Sequence, residues 1–241
     1  MSNQKQKKKR MLRISPSLIE QFRIFMLDVY GEMSEQDMIT HIEGKRKFNK
    51  SMGRGTAYHQ IIEFGHEPFL SKKFDKSGSL TDICRIFVEG ENKQSVAFDF
   101  SKEEVLPAVE YRHRLKNLVH EVPIQKEIVV NGHKVLLNGR ADGLLGLQVR
   151  ECKTTGSQPD IERYMSSMQW RCYLYMLDDA TSCHYDVFYI KKSGGVFYQE
   201  YTFERYAQLE YDLKYWIGQL IDFCQKHNLI KYITLKTQQI P

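Results

Sequence analysis

The chain has 241 residues, enough for one domain with a sizeable core, and its 41% hydrophobic and 12% aromatic content excludes general disorder. The net charge of +5 is small, no apolar run approaches the length of a membrane span, and the basic N-terminus lacks the apolar core of a signal peptide. The five cysteines include no Cys-x-x-Cys pair and are odd in number, which argues against a zinc or iron–sulfur site and a disulfide framework, so the reducing cytosol is expected.

The predicted organisation is a basic disordered tail over residues 1–12, followed by a single domain over 13–241. The tail carries five basic residues and no acid between Lys5 and Arg10. Such a run either favours a polyanion such as nucleic acid or only keeps the protein in solution. The sequence leaves both interpretations open.

Helix signals dominate the start of the domain. Ser15-Pro16 is a favourable N-terminus for a first helix that Gly31 closes. Ser34 is expected to cap a second, short helix that runs through Ile42. A third helix of about three turns is predicted to end at Gly65, preceded by a glycine-containing stretch.

The next segment, residues 66–100, is rich in turn residues and is predicted to be an insertion or small lobe, with strands near 83–88 and 95–100. Ser101 then begins a capping-box sequence. The helix that it starts is expected to reach about His120.

The second half of the chain alternates strands and helices. Alternating apolar residues predict strands over 123–130, 133–141, 147–153, 183–191 and 196–202. Asn131-Gly132 is a strong hairpin signal between the first two strands. Two further helices are predicted over 159–177 and 203–227. We therefore predict an α/β (mixed α+β) fold in which helices flank a central mixed sheet.

Charged residues lie where two of these strands meet. Asp142 ends the second strand, and Glu151 and Lys153 lie two apart on the third, after a turn over 143–146. Alternate strand residues face the same side, so the three side chains can converge. Two carboxylates suit Mg2+ or Mn2+, and a nearby lysine can stabilise developing phosphate charge, as metal-assisted phosphodiester hydrolysis requires. The simpler alternative is a turn aspartate and a solvated strand face.

Two helices offer further candidates. His59 and Glu63 are four residues apart and share a helix face, although a single helical His is most often a surface or core residue. Gln169 and Tyr173 share a face of the helix that directly follows the lysine strand. That face can lie over the acids and bind a phosphate or a base, or it can simply mark the boundary between core and solvent.

Taken in chain order, these residues resemble the PD-(D/E)XK nuclease superfamily and, within it, the RecB-like exonuclease branch. The shared motifs are a helical His, a Gly-x-x-Asp strand end, a Glu-x-Lys strand and a Gln-x-x-x-Tyr helix, here His59, Asp142, Glu151 with Lys153, and Gln169 with Tyr173. The resemblance covers roughly residues 53–190. Four motifs in this order on these elements are far more specific than any one alone.

The resemblance implies a role for each residue. Asp142 and Glu151 would ligate a divalent metal, with the backbone carbonyl of Cys152 and, as the branch-specific ligand, His59. Lys153 would position the attacking water and stabilise the charge that develops on the phosphate. The candidate DNA contacts are Gln169, Tyr173, Arg140 and Thr154, the last two from position alone.

Three departures from the family pattern stand out. Ala141 replaces the proline of the superfamily name, as is common in this branch. Arg150 stands where an apolar residue is usual, which leaves the burial of that strand face open. Relatives with an iron–sulfur cluster use one upstream and three C-terminal cysteines, whereas here Cys84 lies upstream and Cys224 is alone at the C-terminal end. No iron–sulfur cluster is therefore expected.

The function that the resemblance implies is a stand-alone, Mg2+- or Mn2+-dependent DNA exonuclease that resects ends in recombination, repair or replication, in a bacterial or phage-infected cytoplasm. Its expected partners are single-stranded DNA or duplex ends, with a single-strand annealing or replication protein as a candidate and no membrane. A structure-specific endonuclease on the same core and a catalytically inactive nucleic-acid-binding module are the alternatives. The complete His–Asp–Glu–Lys set favours an enzyme.

Overall fold

The computed structural model describes residues 11–27, 31, 33–45, 48–90, 93–191 and 194–235. Its helices are α1 Pro16–Met26, α2 Glu35–Ile42, α3 Lys50–Phe64, α4 Lys102–Arg114, α5 Ile161–Met165, α6 Met168–Met176 and α7 Leu209–Lys226. Its strands are β1 Leu12–Ile14, β2 Leu70–Phe74, β3 Leu80–Glu89, β4 Ser95–Phe100, β5 Val119–Val130, β6 His133–Leu145, β7 Gln148–Thr155, β8 Ser182–Ile190 and β9 Val196–Glu204. Residues 1–10 of the predicted tail lie outside the described residues, and the strand at Leu12 begins just before the predicted domain boundary.

A six-stranded mixed sheet forms the centre of the molecule. Its strands run in the order β1-β6-β7-β8-β9, and β5 also pairs with β6. The pairs β1–β6 and β7–β8 are parallel, whereas β5–β6, β6–β7 and β8–β9 are antiparallel. The predicted fold class, a central mixed sheet flanked by helices, is confirmed.

The two faces of the central sheet carry separate apolar clusters. One joins the sheet to α1, α6 and α7 through buried residues such as Phe22, Leu137 and Leu213. The other joins it to α3 and α4 through residues such as Tyr58 and Phe188. No helix within the described ranges is both long and apolar enough to cross a bilayer.

The segment predicted to be an insertion contains a second, antiparallel sheet of β2, β3 and β4. Cys84, Ile86, Phe98 and Phe100 on its inner face join the apolar cluster of α3 and α4. The small sheet therefore covers the outside of α3, which carries His59. Its status as a separate lobe stays a prediction.

Several element boundaries differ from the predictions. Helix α4 ends at Arg114 rather than about His120, because residues from Val119 onward pair with β6. The helix predicted over 159–177 is two helices, since Ser167 accepts a hydrogen bond from the Gln169 backbone N–H and so caps a new one. Helix α7 begins at Leu209, because the residues that precede it from 203 belong to β9 or to its exit loop.

Helix α3 begins at Lys50, earlier than predicted, and includes two glycines that normally disfavour a helix interior by about 1 kcal/mol each. A Cβ atom at Gly55 would lie 2.4 Å from Oγ1 of Thr154, and one at Gly53 would lie 2.6 Å from the Phe48 ring. Gly55 therefore lets α3 approach the end of β7 closely, while Gly53 makes room for Phe48. The Gly55 contact sets α3 beside β7, the strand that carries Glu151 and Lys153.

Candidate active site

The side chains of Glu151 and Lys153 project from the same face of β7, as predicted. Glu151 is only 3% exposed, and its Oε1 accepts a 2.8 Å hydrogen bond from Nζ of Lys153. Gln169, near the start of α6, donates from Nε2 to the same Oε1 at 2.6 Å and accepts from Lys153 Nζ at 2.8 Å. The three side chains form a closed ring of hydrogen bonds.

Asp142 joins this group from β6. The paired positions of β6 and β7 end at Gly143 and Arg150, and beyond them Oδ2 of Asp142 accepts a 2.7 Å hydrogen bond from the backbone N–H of Cys152. Asp142 lies within β6, which continues to Leu145, so the turn predicted over 143–146 is shorter than expected. The carboxylate thus fastens β6 to β7 beside Glu151.

Desolvation dominates the electrostatics of the two carboxylates. It raises the pKa of Glu151, and the negative charge of Asp142 raises it further, while Lys153 opposes both effects. Desolvation also raises the pKa of Asp142, against the charge of Lys153 and the hydrogen bond from Cys152. Although burial opposes it, the charges of Glu151 and Asp142 raise the pKa of Lys153. Burial therefore disfavours the charged form of both carboxylates, a cost that a bound cation would offset.

The donor set can be tested against a divalent cation. Oε2 of Glu151 is buried and has no hydrogen-bond partner within the described residues. A buried carboxylate oxygen without a partner is costly, and it lies beside a second carboxylate of the kind that Mg2+ and Mn2+ prefer. No group of three or more His, Cys, Asp or Glu residues in the described part of the chain is arranged to hold a metal. The two carboxylates are of the kind that Mg2+ or Mn2+ prefers, and the remaining ligands of such an ion would come from groups outside a cluster of this kind.

His59 lies on α3 and lines, with Lys153 and Thr154, a cleft of about 1470 Å³. Burial lowers the pKa of His59 to about 4, and the charge of Lys153 lowers it further against the pull of Glu151. The imidazole is therefore neutral at physiological pH, the form in which histidine binds metals. The structure brings His59 close to Glu151 and Lys153, and among the described residues it is not part of a three-ligand cluster.

A second cavity of about 530 Å³ lies on the other side of the Glu151–Lys153 pair. It is lined by Asp142, Glu151, Gln169, Tyr173 and Arg140, together with residues at the N-terminus of α1. Since Lys153 lines the larger cleft and Glu151 the smaller cavity, their 2.8 Å contact lies where the two meet.

The predicted DNA contacts occupy different environments. Tyr173 is only 3% exposed, and its Oη donates to the backbone carbonyl of Arg140 at 2.8 Å while accepting from Gln169. Gln169 is thus part of the hydrogen-bonded ring with Glu151 and Lys153, and Tyr173 accepts a hydrogen bond from it. The Arg140 side chain is 66% exposed and pairs with Glu121 at 2.8 Å. Thr154 faces the larger cleft beside Gly55.

Sequence reasoning missed Glu121. Its backbone has a φ of +55°, a region that a non-glycine residue seldom occupies, and the strand ladder skips it between His120 and Val122. Its carboxylate lines the larger cleft and opposes the lowering of the pKa of His59. No local pattern marks this residue, because its position follows from the break in β5 pairing.

The comparisons with known proteins give weak similarities. No protein-family model matches the chain, and no curated protein matches it in sequence. The alkaline exonuclease LHK-Exo from Laribacter hongkongensis is similar at 13% identity and a TM-score of 0.41, over 92% of each chain. An inferred exonuclease from Eubacterium rectale is similar at 12% identity and a TM-score of 0.44, over 96% of this chain and 86% of that one.

The protein SSO0001 is similar at 25% identity and a TM-score of 0.37, over 51% of this chain. The match spans little more than half of SSO0001, at 56% of its length. TM-scores below 0.5 carry no functional argument. Function must be inferred from the geometry of the site itself.

Proposed function

We propose that the chain is a divalent-metal-dependent DNA exonuclease of the PD-(D/E)XK superfamily, in its RecB-like branch. The observation that carries the proposal is the buried, unpartnered Oε2 of Glu151, whose carboxylate lies beside Asp142 and accepts a hydrogen bond from Lys153 through its other oxygen, Oε1. A solvated strand face would not bury a carboxylate oxygen without a partner. The proposed enzyme requires no iron–sulfur cluster, and it would resect ends for an annealing or replication protein.

A Mg2+ or Mn2+ ion at this site would supply Lewis-acid chemistry toward the phosphate. Asp142 and Glu151 hold the ion in the proposal, with the carbonyl of Cys152 and the neutral imidazole of His59 as further ligands. Lys153 offsets the negative charge that develops on the phosphate during attack. Its ammonium is already fixed by Glu151 and Gln169, so little reorganisation is needed.

In this proposal the larger cleft receives the DNA strand. Thr154 in this cleft contacts its phosphates, and so does Arg140, which lines the neighbouring smaller cavity and would exchange its ion pair with Glu121 for a phosphate contact. Gln169 and Tyr173 hold the catalytic ring in place while the strand passes.

The test is a cleavage assay on end-labelled linear single- and double-stranded DNA beside covalently closed circles, with Mg2+, Mn2+ or EDTA. We expect metal-dependent loss of linear DNA while circles stay intact, and the position of the label will give the polarity. Nicked or linearised circles would instead indicate an endonuclease. Binding without cleavage under every metal condition would indicate an inactive nucleic-acid-binding module.

We expect His59→Ala to raise the Mn2+ concentration for half-maximal cleavage by roughly 10-fold, as loss of a metal-supporting group typically does. Its unfolding temperature should change little, because within the described ranges no hydrogen bond ties the His59 side chain to the core. Paired metal titrations and thermal melts of the two proteins check this. Identical Mn2+ titration curves for the wild type and His59→Ala would show that His59 does not support the metal.

Deleting residues 1–10 should weaken DNA binding and flatten its dependence on salt. The segment carries five basic residues, and each phosphate contact contributes a slope of about 0.9 on a log–log plot for duplex DNA. Binding measured between 50 and 200 mM salt checks this, with the cleavage rate at saturating DNA as the control. An unchanged slope would show that the segment only aids solubility.

A further inference from the structure

A buried polar network lies behind the catalytic strand, on the face of β7 opposite Glu151 and Lys153. Asp186 of β8 is fully buried and accepts two hydrogen bonds from Arg150, at 2.9 Å from Nε and 2.5 Å from Nη2. Tyr198 donates to the same carboxylate at 2.6 Å. Arg150 also reaches Glu200, so the departure noted in the sequence is a buried, fully paired arginine.

Tyr111 connects this network to the catalytic strand from α4. Its Oη donates to Oδ2 of Asp186 at 2.8 Å and accepts a 3.6 Å hydrogen bond from Sγ of Cys152. Tyr111 is itself buried, with its ring packed against Phe188 at 5.5 Å. One hydroxyl group therefore links Cys152 to the buried ion pair.

The peptide groups of Cys152 are part of the site. Its backbone N–H holds Asp142 at 2.7 Å, and its carbonyl is a proposed metal ligand. Arg150 and Cys152 precede and follow Glu151 in the sequence. Both are hydrogen-bonded on the opposite face of β7, Arg150 to Asp186 and Cys152 to Tyr111. A shift of β7 would move Asp142 and Glu151 relative to each other.

Stability alone does not account for this network. Apolar side chains of similar volume often stabilise a protein as well as a buried ion pair does, because removing the charges from water is costly. The surrounding cluster of Tyr58, Phe100 and Phe188 could supply such packing. Hydrogen bonds are directional, so this network fixes the position and rotation of β7 relative to β8 and α4. Apolar contacts restrain a strand less strictly.

We propose that Tyr111 is a positioning residue for the catalytic carboxylates and acts through Cys152 and the Arg150–Asp186 pair. Its effect on metal binding and cleavage rests on the proposed function, whereas its effect on the β7 backbone does not. The hydroxyl, not the ring, carries this role. Removal of the hydroxyl leaves the aromatic packing intact.

The test compares Tyr111→Phe with Tyr58→Phe in the full chain. Tyr58 is a matched control: it is buried in the same cluster, packs against Phe188 at 5.4 Å, and donates its hydroxyl to the Glu104 carbonyl instead of to Asp186. Amide hydrogen exchange over 148–155 in metal-free protein reports the Cys152 N–H. Isothermal titration with Mn2+ reports the carboxylates, and the cleavage assay reports kcat and KM separately.

We expect Tyr111→Phe to speed exchange over 148–155 and to weaken Mn2+ binding by roughly 10-fold. It should lower kcat with little change in KM for DNA, while Tyr58→Phe leaves all these values near those of the wild type. Equal exchange and equal Mn2+ affinity in the two variants would overturn the proposal. A wild type that cleaves no DNA would refute the proposed nuclease function, and exchange would still decide the role of Tyr111.

A second variant covers the case in which Tyr111→Phe does not fold. The double change Arg150→Met with Asp186→Leu removes both charges of the buried pair together, and Glu200, which loses Arg150, keeps its contacts with His184 at 2.8 Å and Tyr198 at 3.0 Å. We expect it to show the same faster exchange over 148–155. Wild-type exchange in this double variant would contradict the positioning role of the network.

Discussion

Lys153→Ala is expected to lower the rate of DNA cleavage by roughly 10²–10³-fold, the loss typical when one preorganised charge stabiliser is removed. DNA affinity should stay within a few-fold of wild type, because the ammonium is largely enclosed between Glu151 and Gln169 and contributes little to the outer surface. Single-turnover cleavage at saturating Mn2+ measures the first quantity. Equilibrium binding in Ca2+ or EDTA measures the second.

The control for this experiment is Lys214→Ala. Lys214 is an exposed lysine on α7 that pairs with Glu210 at 2.7 Å and makes no contact with the site, so its loss should leave cleavage unchanged. Lys153→Met keeps more of the side-chain volume and guards against a packing defect in the alanine variant. Substantial residual cleavage in both Lys153 variants would show that this lysine is not catalytic.

Glu151→Gln should remove the stabilisation of the protein by divalent metal. A ligand that binds only the folded state at 100 times its Kd stabilises it by about 2.7 kcal/mol. For a domain of this size that corresponds to a rise of roughly 5–10 °C in the unfolding temperature. Thermal melts with and without Mn2+ should show this rise for the wild type and almost none for Glu151→Gln.

Glu110→Gln on the exposed face of α4 is the matched control, since it makes the same chemical change away from the site. Its melts should keep the full increase with Mn2+. If Glu151→Gln kept that increase as well, the metal would bind elsewhere, and the assignment of the two carboxylates would be wrong. This measurement does not depend on cleavage.

The same variant should reveal a pH effect in metal-free protein. Desolvation and the charge of Asp142 raise the pKa of Glu151 above its ordinary value of 4.5. A carboxyl whose pKa is raised by folding stabilises the protein most below its unfolded pKa, and this contribution is lost as the pH rises through the folded pKa. Glu151→Gln should therefore gain stability relative to wild type as the pH rises above about 4.5. A difference in unfolding free energy between the two proteins that stays constant across pH would contradict a raised pKa of Glu151.

Local sequence signals determined much of the fold. The capping box predicted at Ser101 and the N-cap predicted at Ser34 are both present, and Asn131 and Gly132 take the positive φ values of +49° and +71° that a tight hairpin requires. The alternation of Glu151 and Lys153 on one strand was likewise readable from their spacing. Each of these features depends on residues within four positions of one another, so the sequence carries them without knowledge of the rest of the fold.

The tertiary structure decided the features that depend on distant contacts. Tyr173 supports the site instead of presenting its hydroxyl to solvent, because that hydroxyl meets the carbonyl of Arg140 on a strand 33 residues earlier. Arg150 is buried because Asp186 and Glu200 neutralise it from two other strands. Glu121 enters the cleft only because the strand ladder breaks beside Asp142. The sequence thus determined which chemical groups are available and on which elements, whereas packing between distant segments determined which are desolvated, paired or left without a partner.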